Sequence, residues 1–271
     1  MVEPYVDGPE VDANFALLDG EVVFYEIADD VPSLGDARDS SVHDNFQETA
    51  NLLPTALPRD EVEMVRRSIL DSLKRMGFYN GTFHCKGRIR NSTMTYQRRN
   101  DVDGSWDLVS NHNYDPSRQQ SFFLHEINAR PAGYLESVAT VLTCGVDYYA
   151  LQMLFSLNDR ERYRQLSQPF RKGPQWHLAL LLIPEDRAGV METPDTPLDL
   201  MQRHADLAAA IVDHNTVIRG GDRCFGPKAS QFNYLADFSV MSRACRDDCL
   251  TLAQKFCLSY ADICKPHLPR W

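Results

Sequence analysis

Several signatures are missing from this 271-residue chain, and each absence removes a class of function. No apolar run approaches the ~20 residues of a membrane-spanning helix. The amino terminus is acidic and carries no signal-peptide apolar core. Basic residues number 28 against 38 acidic ones, a formal net charge of −10. That balance argues against non-specific binding to nucleic acid or to an anionic membrane. The seven cysteines make no paired CxxC and no zinc-finger spacing. Their odd number, without a signal peptide, reads as reduced thiols of a cytoplasmic protein. There is no G-x-S-x-G elbow and no Rossmann glycine fingerprint. Arg219-Gly220-Gly221-Asp222-Arg223 lacks the lysine and serine of a P-loop and reads as a turn.

What is present is ordinary globular material, 43% apolar and 24% charged, enough for one large domain or two small ones. Residues 12–17 and 21–28 alternate with period two around Asp19-Gly20, a hairpin turn signal. Residues 29–58, rich in Asp, Ser, Asn and Pro, read as a loop long enough to be a lid or substrate loop. Val62, Val65, Ile69, Leu70, Leu73 and Met76 repeat at three and four, which predicts a helix over 59–76 with Gly77 as its stop. A strand over 78–90 places His84, Lys86, Arg88 and Arg90 on one face. Residues 91–117 read as a polar hairpin turning at Asp103-Gly104, followed by a polar loop. Two short apolar helices follow, 135–143 and 149–157. Beyond Asn158 the chain reads as strands near 176–183 and 232–242, with 187–191 as a partner for the first. Residues 198–212 read as helical, with a carboxy half that could be strand, and 246–263 as a helix. Cys245 and Cys249 lie four apart on that last helix, a spacing better explained by packing than by metal binding.

The stretch Ser121-Phe122-Phe123-Leu124-His125-Glu126-Ile127-Asn128-Ala129-Arg130 stands apart. Phe122 to Leu124 read as a short buried strand. Glu126, Asn128 and Arg130 follow at i, i+2 and i+4, on one face of an extended segment. Pro131 and Gly133 end the strand. The carboxylate and carboxamide are hard oxygen ligands suited to Mg²⁺, and the guanidinium suits phosphate.

His125 to Pro131 resembles the E-[IV]-N-x-R strand of the ATP-grasp superfamily, in particular its carboxylate–amine ligases. Val2-Glu3-x-Tyr5-x-x-Gly8-x-Glu10 resembles that family's hinge, and Gly77-Phe78-x-x-Gly81-x-Phe83-His84 resembles its G-x-x-x-G-x-f-H-x-E segment. The resemblance implies an α+β chain in two parts. Residues 1–158 would be the C-terminal subdomain of an ATP-grasp domain, an antiparallel sheet with flanking helices, and 159–271 a small αβ cap. It implies Mg²⁺ on Glu126 and Asn128, and Arg130 as the catalytic clamp on phosphate. It places ATP near Glu3, Tyr5, Glu10 and Lys86. The family has a metal-binding glutamate at the position of Lys86, so an ammonium stands where a cation is expected, free to form an ion pair with Glu126 and weaken metal binding. The implied reaction joins a small-molecule carboxylate and an amine through an acyl phosphate. The chain opens on the hinge motif, so the phosphate lysines and glycine loop are expected from a separate amino-terminal half, or the chain pairs as a homodimer. The alternative is a non-catalytic remnant that serves as a binding module.

Overall fold

The computed structural model describes residues 5–37, 45–99, 105–226, 233–264 and the backbone of 266–267. In chain order the elements are β1 (Glu10–Leu18), β2 (Glu21–Asp30), β3 (Ala50–Leu53), α1 (Arg59–Arg75), β4 (Gly81–Arg90), β5 (Met94–Arg98), β6 (Trp106–Ser110) and β7 (Ser121–Asn128). Then come α2 (Tyr134–Cys144), α3 (Tyr148–Ser156), α4 (Arg160–Leu166), β8 (His177–Pro184), β9 (Ala188–Met191), α5 (Thr196–Arg203), α6 (Ala205–Ala208), β10 (Ile211–Thr216), β11 (Arg223–Phe225), β12 (Tyr234–Ser242) and α7 (Arg246–Ile263). By their contacts the residues divide into two compact units. The first holds Met1–Asp30, Leu52–Gln97 and Trp106–Gln175; the second holds the rest.

In the first unit the antiparallel strands run in the order β2-β1-β4-β7. Asp19 and Gly20 both have positive φ, 55° and 75°, as the two central residues of a tight hairpin turn need. Strand alternation sends Val11, Ala13, Phe15 and Leu17 of β1, with Phe83, Cys85 and Ile89 of β4, to one face. Helix α1 covers that face with Val65, Ile69 and Leu73, all fully buried. Their spacing of four puts them on one stripe. Glu61, buried in the first turn of α1, accepts hydrogen bonds from Ser92 Oγ (2.6 Å), the Thr93 N–H (2.6 Å) and Gln120 Nε2 (2.9 Å). These bonds tie the start of the β5–β6 ribbon to the helix.

The second unit has an antiparallel order β10-β12-β8 and a separate β11-β9 pair. Helix α7 spans the residues its pattern predicts, and Phe256 and Tyr260 from it close on Phe238 of β12, at ring-centroid distances of 4.1 and 5.7 Å.

The structure changes several expectations. Residues 29–58 are not all loop: Ala50–Leu53 is a strand, too short to show periodicity. β9 pairs with β11 and not with β8. The span 198–212 is two short helices followed by the start of β10. The Asp103-Gly104 turn and Glu3 lie outside the described residues, though β5 and β6 do pair. Among the described residues no single helix is long and apolar enough to cross a membrane.

Candidate functional site

Around the amino-terminal half of β1, the face of the first-unit strands opposite α1 is polar, and its register builds the site. Three rows cross it. Asp30, Glu10 and Arg88 stand side by side; then Asp12, Lys86 and Glu126; then Glu26, Asn14, His84 and Asn128. Residues directly opposite in an antiparallel ladder share a face. Asp12, Asn14, Glu26, Asp30, His84 and Arg88 are all buried. Buried polar groups at this density must be paired. Arg88 grips Glu10 Oε2 through Nε (2.8 Å) and Nη2 (2.6 Å), and donates to the Tyr5 hydroxyl at 3.0 Å. Lys86 Nζ lies 2.7 Å from Asp30 Oδ2 and 3.4 Å from Asp12 Oδ1. Asn14 donates to Glu26 (3.1 Å), and its Oδ1 lies 2.9 Å from His84 Nδ1.

Helix α2 covers the third row. Gly133 caps its start, and Gly145, at φ +82°, ends it with its N–H on the Thr140 and Val141 carbonyls. Thr140 Oγ1 donates to Glu26 Oε1 at 2.7 Å, and Glu136 Oε2 lies 3.4 Å from His84 Nδ1. Burial pushes the Glu26 carboxyl up to about 7, against the opposing pull of the Thr140 and Asn14 hydrogen bonds.

The Glu126–Asn128 segment reaches this face by a device that alternation does not show. Phe122 pairs with Ile89 and Leu124 with Gly87, on the apolar face. Glu126 pairs with Lys86 and Asn128 with His84, on the polar face. The register shifts between the two pairs, with His125 as the extra residue. This β-bulge flips the strand's phase. Strict alternation would put Phe122, Leu124, Glu126 and Asn128 together; the bulge separates greasy from polar. Phe122 to Leu124 are half-buried rather than buried, as suits β7 at the end of the strand order.

Glu126 is exposed, and Asn128 Nδ2 donates to its Oε1 at 3.0 Å. One carboxylate oxygen and the carboxamide oxygen are left for a hard cation, a donor set that fits Mg²⁺. Lys86 and Glu126 are register partners, yet Glu126 has no ion pair among the described residues; the ammonium turns to Asp30 and Asp12. The ion pair expected between Lys86 and Glu126 is therefore not formed. Arg130 lies past the end of β7, where its N–H bonds the Asn128 carbonyl and its Nη1 the Pro131 carbonyl (2.9 Å). It does not continue the strand face as its i+4 spacing implied. Tyr5, 59% exposed, and Glu10 meet through Arg88. Asp12, Asp30, Glu26 and Glu136 were not singled out by sequence. The signal for the first was present, since Asp12 and Asn14 occupy alternate positions of β1.

No family model matches this chain. An Aspergillus fumigatus protein described as ATP-grasp enzyme fsqD is 39% identical over 261 residues, 94% of this chain and 45% of the relative. The chain belongs to the ATP-grasp superfamily. It spans less than half the length of that relative. Two solved structures share the fold at 13% identity: L-amino acid ligase from Bacillus licheniformis and phosphoribosylglycinamide synthetase from Anaerococcus prevotii. Their TM-scores are 0.63 and 0.61; each match covers 98% and 97% of this chain and 55% and 54% of the other. The ATP-grasp fold here is thus mixed α and β, antiparallel strands with flanking helices.

Proposed function

We propose that this chain supplies the Mg·ATP-holding face of an ATP-dependent carboxylate–amine ligase. Residues 1–158 serve as the C-terminal half of the ATP-grasp domain and 159–271 as its cap. One observation carries the reading: an exposed carboxylate and a half-buried carboxamide, 3.0 Å apart, stand on a bulged strand beside a face of buried charges, in an ATP-grasp chain. Glu126 and Asn128 hold Mg²⁺. Bound there, the ion neutralises charge on the nucleotide's phosphates. Arg130, at the exposed end of the same segment, swings from the Pro131 carbonyl to a phosphate; an exposed hydrogen bond costs little to exchange. Tyr5 and Glu10, oriented by Arg88, line the nucleotide pocket. Lys86 acts on the nucleotide through the charge balance of Asp12 and Asp30 rather than as a free ammonium.

The substrate carboxylate attacks the γ-phosphorus and ADP leaves. The amine then attacks the acyl carbon and inorganic phosphate leaves, so an amide forms for each ATP spent. Such chemistry asks the protein for positioning and charge more than for proton transfer. Calorimetric titration with Mg·ATP tests the reading. Glu126→Gln is expected to abolish the magnesium-dependent part of ATP binding; unchanged binding refutes the metal role.

A second reading, a non-catalytic binding module, is favoured by Lys86, whose ammonium neutralises two carboxylates that an ion could otherwise use. Mixing the chain with an amino-terminal ATP-grasp half and measuring ADP release separates the two.

A further inference from the structure

In the second unit, the β10–β12 ladder sets Asp213 opposite Ser239 and Asn215 opposite Asp237. The pair between them, His214 and Phe238, stacks on the other face, where Phe238 meets Phe256 and Tyr260 of α7. Alternation therefore puts Asp213, Asn215, Asp237 and Ser239 together on the face away from α7. We propose that Asp213, Asp237 and Ser239 form a binding site for a hard divalent cation, Ca²⁺ before Mg²⁺. The site shares no residue with the Glu126–Asn128 pair and does not depend on the ATP reading.

Three observations carry it. The first is register. Residues directly opposite in an antiparallel ladder have Cβ atoms about 4.5–5.5 Å apart, and diagonal neighbours are still within reach of longer side chains. Asp213 faces Ser239 directly and Asp237 across the diagonal. An ion that takes oxygens at about 2.3–2.6 Å spans gaps of that size.

The second is spare oxygen. Asp213 Oδ1 accepts the His214 N–H at 2.9 Å, and Asp237 Oδ2 accepts from Asn215 Nδ2 at 3.1 Å. Each bond steadies its carboxylate and leaves the other oxygen, Asp213 Oδ2 and Asp237 Oδ1, without a hydrogen bond among the described residues. Ser239 is fully buried, and its Oγ has no hydrogen-bond partner although a carboxylate stands opposite. A buried hydroxyl ordinarily finds a partner. Here the two groups stand farther apart than a hydrogen bond, as two ligands of one ion do.

The third is charge. Asp213 and Asp237 are half-buried. Burial pushes the Asp237 carboxyl up and Asp213 adds to it, against the Asn215 hydrogen bond and the charge of His214. Neither aspartate has a lysine or arginine partner among the described residues. Two like charges held together out of water repel, and a cation between them turns that repulsion into attraction.

The ligand chemistry selects the ion. Carboxylate and hydroxyl oxygens are hard donors, suited to Ca²⁺ and Mg²⁺. A β-ladder dictates their directions, so the shell is irregular. Ca²⁺ accepts an irregular shell of about six to eight oxygens, whereas Mg²⁺ asks for a near-ideal octahedron. Water completes the shell, since the neighbouring Asn215 is exposed.

The test titrates the chelator-treated chain calorimetrically with Ca²⁺ and with Mg²⁺, in a Glu126→Gln background that removes the proposed Mg²⁺ ligand. One equivalent of Ca²⁺ should bind, at least about 10-fold more tightly than Mg²⁺. Adding Asp213→Asn or Asp237→Asn should weaken Ca²⁺ by about 10-fold or more, and Ser239→Ala by a smaller factor. Thermal melts supply a second readout. Without Ca²⁺ the Asn variants should melt no lower than their parent, because the repulsion is relieved; with saturating Ca²⁺ only the parent should gain. If Asp237→Asn does not fold, Asp213→Asn is read in its place. The proposal fails if no saturable one-to-one Ca²⁺ binding occurs, if Mg²⁺ binds as tightly as Ca²⁺, or if a folded Asn variant binds Ca²⁺ as its parent does.

Discussion

Substituting Glu26 by Gln should make the protein more stable at pH 8 and leave it unchanged near pH 4. The Glu26 carboxyl is buried in the folded chain and ionises at about 7, against 4.5 for an ordinary glutamate. Burial is the main cause, with the Thr140 and Asn14 hydrogen bonds opposing it. The folded state therefore binds its proton more tightly than the unfolded state does. Stability from this group is fully present below about pH 4.5 and is lost as pH rises through about 7. The span is 7 − 4.5 = 2.5 pH units. At about 1.4 kcal/mol per unit, roughly 3 kcal/mol is at stake, to order of magnitude. Gln has the shape of the protonated acid. Its Oε1 can still accept from Thr140 Oγ1 (2.7 Å) and Asn14 Nδ2 (3.1 Å). Urea unfolding at pH 4, 6 and 8, wild type against variant, reads the difference. The expected gain for Glu26→Gln is near zero at pH 4 and up to about 3 kcal/mol at pH 8. A variant less stable than wild type at pH 8, or a difference that does not change with pH, refutes the reasoning.

Other substitutions separate the roles on this face. Lys86→Met removes the ammonium that pairs with the buried Asp12 and Asp30, and breaking such a group should cost about 3–5 kcal/mol, read as a large fall in melting temperature; a fall worth under about 1 kcal/mol would show that the ammonium is not held there. Glu126→Gln, at an exposed residue, should change stability by less than about 0.5 kcal/mol while removing Mg·ATP binding. Glu61→Ala leaves the Thr93 N–H and Gln120 amide without their buried acceptor and should cost about 3 kcal/mol or more by chemical denaturation. All seven cysteines are free thiols, and Cys245 alone is exposed. A thiol reagent should modify one rapidly in the native protein and seven in denaturant; rapid native reaction of several would contradict the burial of Cys85, Cys224, Cys249 and Cys264.

Sequence made the regular elements legible where one period ran long enough to count. Helices α1 and α7 bury residues three and four apart, and their bounds fall within a residue of the pattern. The β1–β2 hairpin followed from alternation plus Asp19-Gly20. The partners of His84, Lys86 and Arg88 were not legible, because a strand's sequence shows its faces and not its neighbour. That neighbour is β1, some seventy residues earlier, whose Glu10, Asp12 and Asn14 fall in register opposite them. The bulge at His125 was invisible for a sharper reason. It breaks the very alternation used to read the strand, which carried past His125 would put Glu126 and Asn128 on the face of Phe122 and Leu124. Arg130 was misplaced onto the strand because Pro131 was read as its end, whereas the ladder stops at Asn128. β3 has four residues, fewer than one can test for a period.

The two faces of the first unit are built from opposite chemistry. On one face Phe15, Leu17, Ile69, Leu73 and Ile89 are essentially inaccessible, and each such side chain contributes roughly 1.5–3 kcal/mol by leaving water. On the other, acids and bases are buried in pairs that at best offset their own desolvation. A fold selected only for stability would have apolar residues at Asp12, Asn14 and Glu26, since replacing buried ion pairs by well-packed hydrophobes is often neutral or stabilising. Burying them in spite of that cost is what the proposed nucleotide-binding role of this face would account for. Core substitutions such as Ile69→Ala should lower stability by about 2–5 kcal/mol and leave ligand affinity per folded molecule intact. Exposed-site substitutions such as Glu126→Gln should do the reverse, and measuring both quantities on both variants shows whether the faces are separable.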